Sequence, residues 1–200
     1  MHLLAKPTRL RAFFVRLFLI TVLALIPPWS FCAAKTQQPA PGNHRHKKSS
    51  LTYYVEISIS RRILDLYQKT DDGSLELVDE YPVGTAVRGL DVYPLGLGKV
   101  TGIYFDPWWY PTPYSRQVFR ERGIDLPSKV PPGDPLNYMG PFKIALSHRT
   151  RKGAIYRIHG NNNPKRVGRR VTGGCFVMYN TDGLSLAHTI QVGTEVNIVP

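Results

Sequence analysis

Residues 54–60, Tyr54-Val55-Glu56-Ile57-Ser58-Ile59-Ser60, alternate apolar and polar side chains. That is the pattern of a strand with one buried face and one wet face. A period of two cannot line one face of a helix, so this stretch commits the chain to a sheet. Residues 63–67 repeat the signal after a turn at Ser60-Arg61-Arg62, and residues 75–83 follow a turn at Asp71-Asp72-Gly73. The three read as an antiparallel meander. Further strands are expected at 100–105, 142–146, 154–158 and 194–199, with short helices at 115–123 and 184–192. His188 falls in the second helix and reads as packing or surface. Gly and Pro number 17 each, which favours turns and short strands over long helices. The expectation is a mostly β domain over residues 51–200 with one or two short helices.

The preceding residues have a different character. Lys6, Arg9, Arg11 and Arg16 are followed by an apolar run over 17–26 and by Pro27-Pro28. Cys32-Ala33-Ala34 then supplies the small residues of a cleavage site, so 1–34 read as a signal peptide cut after Ala34. The apolar run is short for a membrane span. An uncleaved anchor is the alternative; a lipoprotein signal would need small residues where Trp29 and Phe31 stand. Residues 35–50 (KTQQPAPGNHRHKKSS) lack apolar periodicity and read as a flexible basic tether. His44 and His46 have no further ligand types beside them, so no metal is expected there. The export reading makes the mature protein periplasmic, touching the membrane only through the signal.

Charge supports this division. The net charge is +12, but the signal and the tether carry four basic residues each and no acidic one. Residues 51–200 therefore hold 18 basic and 14 acidic side chains (26 − 8 against 14). That excess is too small, and too little interleaved with aromatics, for a nucleic-acid binder. Removing the signal also removes Cys32 and leaves Cys175 as the single thiol. An unpaired cysteine in an oxidising compartment calls for either a buried inert position or a chemical role.

Its surroundings speak for chemistry. His159-Gly160 ends one expected strand, and sixteen positions later Cys175 follows Thr172-Gly173-Gly174. The intervening 161–170 are polar and loop-like, so the chain can bring thiol and imidazole together. A free thiol is only a few per cent ionised at neutral pH, and an adjacent imidazole can take its proton. The imidazole needs a third group to fix its tautomer, and the Gly160 carbonyl is the nearest candidate. Gly173 and Gly174 permit positive φ and close approach of a substrate carbonyl. The N–H groups of Gly174 and Cys175 are candidates for an oxyanion hole. An ordinary glycine turn remains the alternative. Residues 84–140 form a long loop-like middle rich in Pro, Gly and aromatics, a length that points to a lid or binding wall. Trp108 and Trp109 are either that wall or the core beneath it.

The chain resembles an L,D-transpeptidase with the YkuD-type catalytic domain. The resemblance rests on His159-Gly160, the gap, and Thr172-Gly173-Gly174-Cys175. Weaker matches lie at Val83-Gly84, Pro94-Leu95-Gly96, Asn137-Tyr138-Met139-Gly140 and Val192-Gly193-Thr194-Glu195-Val196. The stretch around Trp108-Trp109-Tyr110 is similar to the family's periplasmic subset. The resemblance implies a sandwich-like mixed β domain and a peptidoglycan transpeptidase. Cys175, His159, Gly160 and Gly174 would be catalytic; Thr172, Gly173, Trp108, Trp109, Tyr138, Arg169 and Arg170 would bind substrate. It implies no metal and no organic cofactor. The partners would be peptidoglycan stem peptides, joined in 3→3 cross-links or linked to a wall-anchored lipoprotein. A carboxypeptidase or endopeptidase using water, and a wall-binding protein without turnover, are the alternatives. One departure is Val177, where many members have Arg or Asn two residues after the cysteine. A basic residue elsewhere would have to supply that cation, with Lys165, Arg166, Arg169 and Arg170 as candidates.

Overall fold

The computed structural model describes residues 52–151 and 153–200. The expected signal, the tether with His44 and His46, and Cys32 lie outside the described residues. Among the described residues the fold is mostly β, with a curled mixed sheet and two α-helices. Strands β1 (Thr52–Ser58), β2 (Ile63–Lys69) and β3 (Leu75–Pro82) are followed by the two-residue β4 (Thr85–Ala86) and the long β5 (Gly96–Phe105). Helix α1 (Pro113–Arg120) precedes β6 (Phe142–Arg149), β7 (Ile155–His159), β8 (Arg170–Thr172) and β9 (Phe176–Val177). Helix α2 (Asn180–Thr189) and β10 (Glu195–Val199) close the chain.

Eight strands form one sheet in the order β3-β2-β1-β10-β5-β6-β7-β9, and β4 pairs with β8 separately. The meander β3-β2-β1 stands as expected. Strand β1 buries Val55 and Ile57, the apolar half of the alternation that opened the sheet. Two neighbour pairs in the large sheet, β1 with β10 and β7 with β9, run parallel. Strand β5 changes partner along its length: residues 96–99 pair with β10, and residues 100–105 pair with β6 past an irregularity between Val100 and Gly102. A long strand that changes partner across a bulge turns the sheet over its own core. The sandwich-like character follows from that turn.

The main core includes Val55, Ile57, Leu64, Leu66, Phe142, Ile144, Ile158, Phe176, Leu186 and Ile198. A second, smaller cluster of Trp109, Phe119, Leu126 and Val130 lies within the long middle segment, with Leu136, Tyr138 and Met139 packed against it. The segment is thus a folded flap with its own core. Trp109 and Val130 exchange main-chain hydrogen bonds of 2.9 and 2.8 Å that cinch it.

The helix limits differ from the sequence pattern for local reasons. Thr112 accepts a hydrogen bond from Ser115 N at 3.1 Å, and Pro113 takes the first helical position, so α1 starts at the cap and the proline. Helix α2 begins at Asn180, upstream of the expected 184, and passes straight through Gly183. A Cβ on Gly183 would lie 1.9 Å from the Phe142 ring. What reads as a helix breaker is the contact that lets α2 lie against β6. His188 stacks on Phe105, ring centroids 4.6 Å apart. Among the described residues no helix is long and apolar enough to cross a membrane.

Gly183→Ala should therefore destabilise the fold by about 1–3 kcal/mol, although alanine is the better helix former, because the overpacking against Phe142 outweighs the propensity gain. Denaturant unfolding would read this; equal or higher stability would mean that α2 can move off β6 without cost.

Candidate active site

The site grows from the parallel pair of β7 and β9. Its register sets Ile158 beside Phe176 and His159 beside Val177. One residue further back, Cys175 comes beside Arg157. Side chains alternate along a strand, and partners in register share a face, so Arg157, His159, Cys175 and Val177 project from one side of the sheet. Phe176, Ile158 and Tyr156 project into the core on the other. Tyr93 stacks on Phe176 at 5.0 Å, and the Tyr156 hydroxyl donates to Val92 O. The thiol is thus mounted directly on the main core.

His159 is buried at 5% exposure. Its Nδ1 lies 2.7 Å from the Gly160 carbonyl oxygen, which fixes the proton on Nδ1 and leaves the other ring nitrogen as an acceptor. The strand end that carries it is clamped by two asparagines. Asn161 N donates to Asn180 Oδ1 at 2.8 Å, Asn180 Nδ2 donates to Asn161 O at 3.0 Å, and Asn161 Nδ2 donates to Met178 O at 2.6 Å. Gly160 is held in this knot: a Cβ there would stand 2.5 Å from Asn180 Oδ1. Sequence reasoning missed Asn161 and Asn180, whose role exists only once α2 is docked.

Thr172 shapes the turn before the thiol. Its hydroxyl donates to Cys175 O at 2.7 Å and accepts from Gly174 N at 3.1 Å. Gly174 has φ of +149° and needs to be glycine on that account. Gly173 lies beneath Tyr114 of α1, which a Cβ would meet at 3.3 Å. The Gly174 N–H is therefore occupied by Thr172, a correction to its expected place in an oxyanion hole. A tight turn needs that donor for itself. Of the two expected N–H groups, that of Cys175 remains.

The flap reaches the site through Tyr138. Its ring stacks on Trp109 at 5.2 Å, the Arg166 guanidinium lies 4.4 Å over it, and its main chain bears on the His159 imidazole. Trp109, expected to bind substrate, is buried at 3% inside the flap core and presents no free face. Trp108 is exposed, with the Lys129 ammonium 4.9 Å over its ring. Of the four basic loop residues, Lys165, Arg169 and Arg170 are exposed, and Arg166 is the one that acts on the thiol. Arg169 O accepts from Thr85 N, and β8 pairs with β4, so those arginines belong to the strap formed by β4 and β8. Arg157, the cation beside Cys175, was not anticipated. The two-residue spacing from His159 on a strand was the signal that could have found it.

Cys175 keeps part of its surface, yet the packed shell around the sulfur desolvates it and pushes the thiol above its ordinary value. Arg157, through its charge and its hydrogen bonding, and then Arg166 oppose that push. Burial also drives His159 down to about 4, with Arg166 and Arg157 adding to it, while Gly160 and Tyr138 act the other way. Burial thus pushes the thiol and the imidazole each towards its neutral form, because a shielded site disfavours both charges. Among the described residues no three His, Cys, Asp or Glu side chains converge as a metal site would require.

Residues 52–198 match the sequence profile of the L,D-transpeptidase catalytic domain family, YkuD. The Escherichia coli (strain K12) protein ErfK/SrfK, named a probable L,D-transpeptidase, is 33% identical over 133 residues, 66% of this chain and 40% of its own length. The YkuD protein of Bacillus licheniformis, assigned to the same class, is 28% identical over 151 residues, 76% of this chain and 68% of its own. The match thus spans two-fifths of the first relative. The solved structure of Bd1075 from Bdellovibrio bacteriovorus covers 76% of this chain and 50% of its own with a TM-score of 0.51 at 15% identity, a likeness of fold.

The depressed His159 value has a consequence for stability. Unfolded, the imidazole takes a proton near 6.5; folded, it does so only at about 4. Between these values the unfolded chain holds the extra proton, so stability is full above about pH 6.5 and falls as the pH drops towards 4. The loss is about 3 kcal/mol for this one group. His159→Gln should remove most of that acid sensitivity when unfolding at pH 7 and pH 4.5 is compared. An unchanged acid response would show that the imidazole is not sealed from water.

Proposed function

The chain belongs to the L,D-transpeptidase catalytic domain (YkuD) family, and on that premise we propose that it is a cysteine acyltransferase acting on peptidoglycan stem peptides. The observation that carries the reading is the parallel register that puts Cys175 and His159 on one face of adjacent strands, with the imidazole held by Gly160 at 2.7 Å.

In the proposed reaction the Cys175 proton passes to the free nitrogen of His159 as the sulfur attacks the carbonyl at the L-centre of diaminopimelate in a donor tetrapeptide. The Cys175 N–H faces the oxygen that gains negative charge. The tetrahedral adduct collapses by breaking the C–N bond, and the proton on His159 goes to the departing D-Ala amine, leaving a thioester. A second amine then gives its proton to His159 as it attacks the thioester carbonyl; the C–S bond breaks, the acyl group passes to the amine, and the proton returns from His159 to the Cys175 sulfur. That amine is a diaminopimelate side chain, forming a 3→3 cross-link, or the lysine of a wall lipoprotein. Water in its place makes the enzyme a carboxypeptidase. A pair pushed towards its neutral forms suits this sequence, since charge develops only as the substrate excludes water. Residues 1–34 would deliver the chain to the periplasm, and residues 35–50 would space residues 51–200 from the membrane. Trp108, Tyr138 and Gly173 would line the donor groove.

A wall-binding protein that does not turn over is the second reading. The desolvated thiol, whose ionisation the site opposes, favours it. The two part at the acyl-enzyme. With tetrapeptide muropeptides the full chain should gain the mass of the acyl group and release D-Ala. Cys175→Ala should abolish both, and His159→Ala should slow acylation by roughly 10²–10⁴-fold. The acylation rate should hold nearly constant down the pH scale until it approaches the His159 value of about 4. Muropeptide binding that survives Cys175→Ala, with no mass shift in the parent chain, would select the binding protein.

A further inference from the structure

The groups around Cys175 share one sign. The charged groups that act most strongly on Cys175 and His159 are Arg157 and Arg166, and those acting on Arg166 are Tyr138, Tyr114, Arg122 and the thiol. None is a carboxylate. The ion pairs among the described residues, Arg61 with Asp65 and Glu80 and Lys69 with Glu195, involve none of these residues. Lys143, the register partner of His159 across β6, is turned to the Tyr104 ring at 4.2 Å. Two guanidinium groups thus act on the thiol, and no carboxylate stands among the charged groups that act most strongly on it.

Arg166 is the more telling of the two. It is carried by the 3-10 turn Pro164–Arg166, itself fixed by Asn163 Oδ1 accepting from Lys165 N at 3.0 Å. Gly84 lies so close to the turn that a Cβ would come within 2.4 Å of Arg166 O. The side chain lies over Tyr138 with Nη1 wholly buried and without a hydrogen-bond partner. A buried, unsatisfied guanidinium nitrogen costs free energy unless something outside the protein completes it. Arg157, level with Cys175 in the β7–β9 register, is anchored by donating Nη1 to Ile155 O at 2.9 Å, and it bears on the thiol through its charge and its hydrogen bonding. Val177 is fully buried and apolar, so no cation comes from β9 itself.

We propose that Arg157 and Arg166 form a carboxylate-binding site for the acyl donor beside Cys175. The proposal rests on the acyltransfer reading for the identity of the donor, a peptide with a free carboxylate next to the bond that is cut. Guanidinium groups bind carboxylates with charge-assisted hydrogen bonds, and a desolvated site strengthens them. The carboxylate would fix the peptide's register and satisfy Arg166 Nη1, so the buried cation would act as a selector. The carboxylate could be that of the terminal D-Ala or that of the diaminopimelate D-centre.

The first test needs no muropeptide. The full chain is alkylated with iodoacetate and, separately, with iodoacetamide, and modification at Cys175 is followed by peptide mass so that Cys32 does not interfere. The ratio of the two rates cancels changes in thiol ionisation and reports attraction of the carboxylate alone. It should exceed that of a small free thiol by about tenfold or more. Arg157→Gln and Arg166→Gln should each pull it down, the double variant should reach the free-thiol ratio, and Arg157→Lys should restore part of it. The iodoacetamide rate in each variant checks that the site is still folded. A parent ratio equal to that of the free thiol, or one unmoved in both Gln variants, overturns the proposal whether or not transpeptidation is seen.

The second test compares donors amidated at the terminal D-Ala with donors amidated at the diaminopimelate D-centre. Loss of acylation with one of them identifies the carboxylate held; full acylation of both overturns the donor role. A high ratio that the Gln variants abolish, with no muropeptide acylated, keeps the anion site and removes the acyltransfer reading instead.

Discussion

The parallel pairing of β7 with β9 is the contact on which the rest of the site depends. Two strands of five and two residues bring together residues that the chain separates by a loop. A parallel register keeps side chains of the same parity on one face, so the pairing decides both what meets the thiol and what stays in the core. A shift of one residue would send Cys175 into the core beside Tyr156 and turn Phe176 out. The core guards against that slip, since Phe176 is fully buried and stacked on Tyr93.

Around that pairing, neutral hydrogen bonds hold the backbone and arginines supply the charge. Thr172 consumes the Gly174 N–H and the Cys175 carbonyl to shape the turn, and Asn161 and Asn180 tie the histidine's strand to α2. These are neutral hydrogen bonds, each worth about 1 kcal/mol, and they hold positions without adding charge. The charges come from two arginines, Arg157 on β7 itself and Arg166 on the 3-10 turn Pro164–Arg166. Desolvation then acts on the thiol and the imidazole in opposite directions, raising one and lowering the other, so each is pushed towards its neutral form. Reactivity in such a site depends on what enters it.

Much of the scaffold was legible because burial writes itself into a period of two. The meander, β5 to β7 and β10 all carry enough alternating residues to be read. Strands β4, β8 and β9 do not: two or three residues hold no period, and they exist because partners elsewhere offer them hydrogen bonds. The flap shows the same limit. Its aromatic content was plain, but whether Trp108 or Trp109 faced inward depended on Val130 arriving opposite residue 109. Arg166 was one of four equal candidates in the sequence, and Arg157 was none, until the fold set both against the sulfur.

The sequence by itself determined the chemistry on offer: one thiol behind two glycines, one imidazole at a strand end, and the sheet class that carries them. Those are local properties, set by residue type and spacing. The tertiary structure alone decided the protonation of that pair, the spending of the Gly174 donor within its own turn, and the identity of the cations beside the thiol. Each of these is a matter of which distant atoms exclude water or bring charge, and nearness in space between strands leaves no mark in the order of residues along the chain.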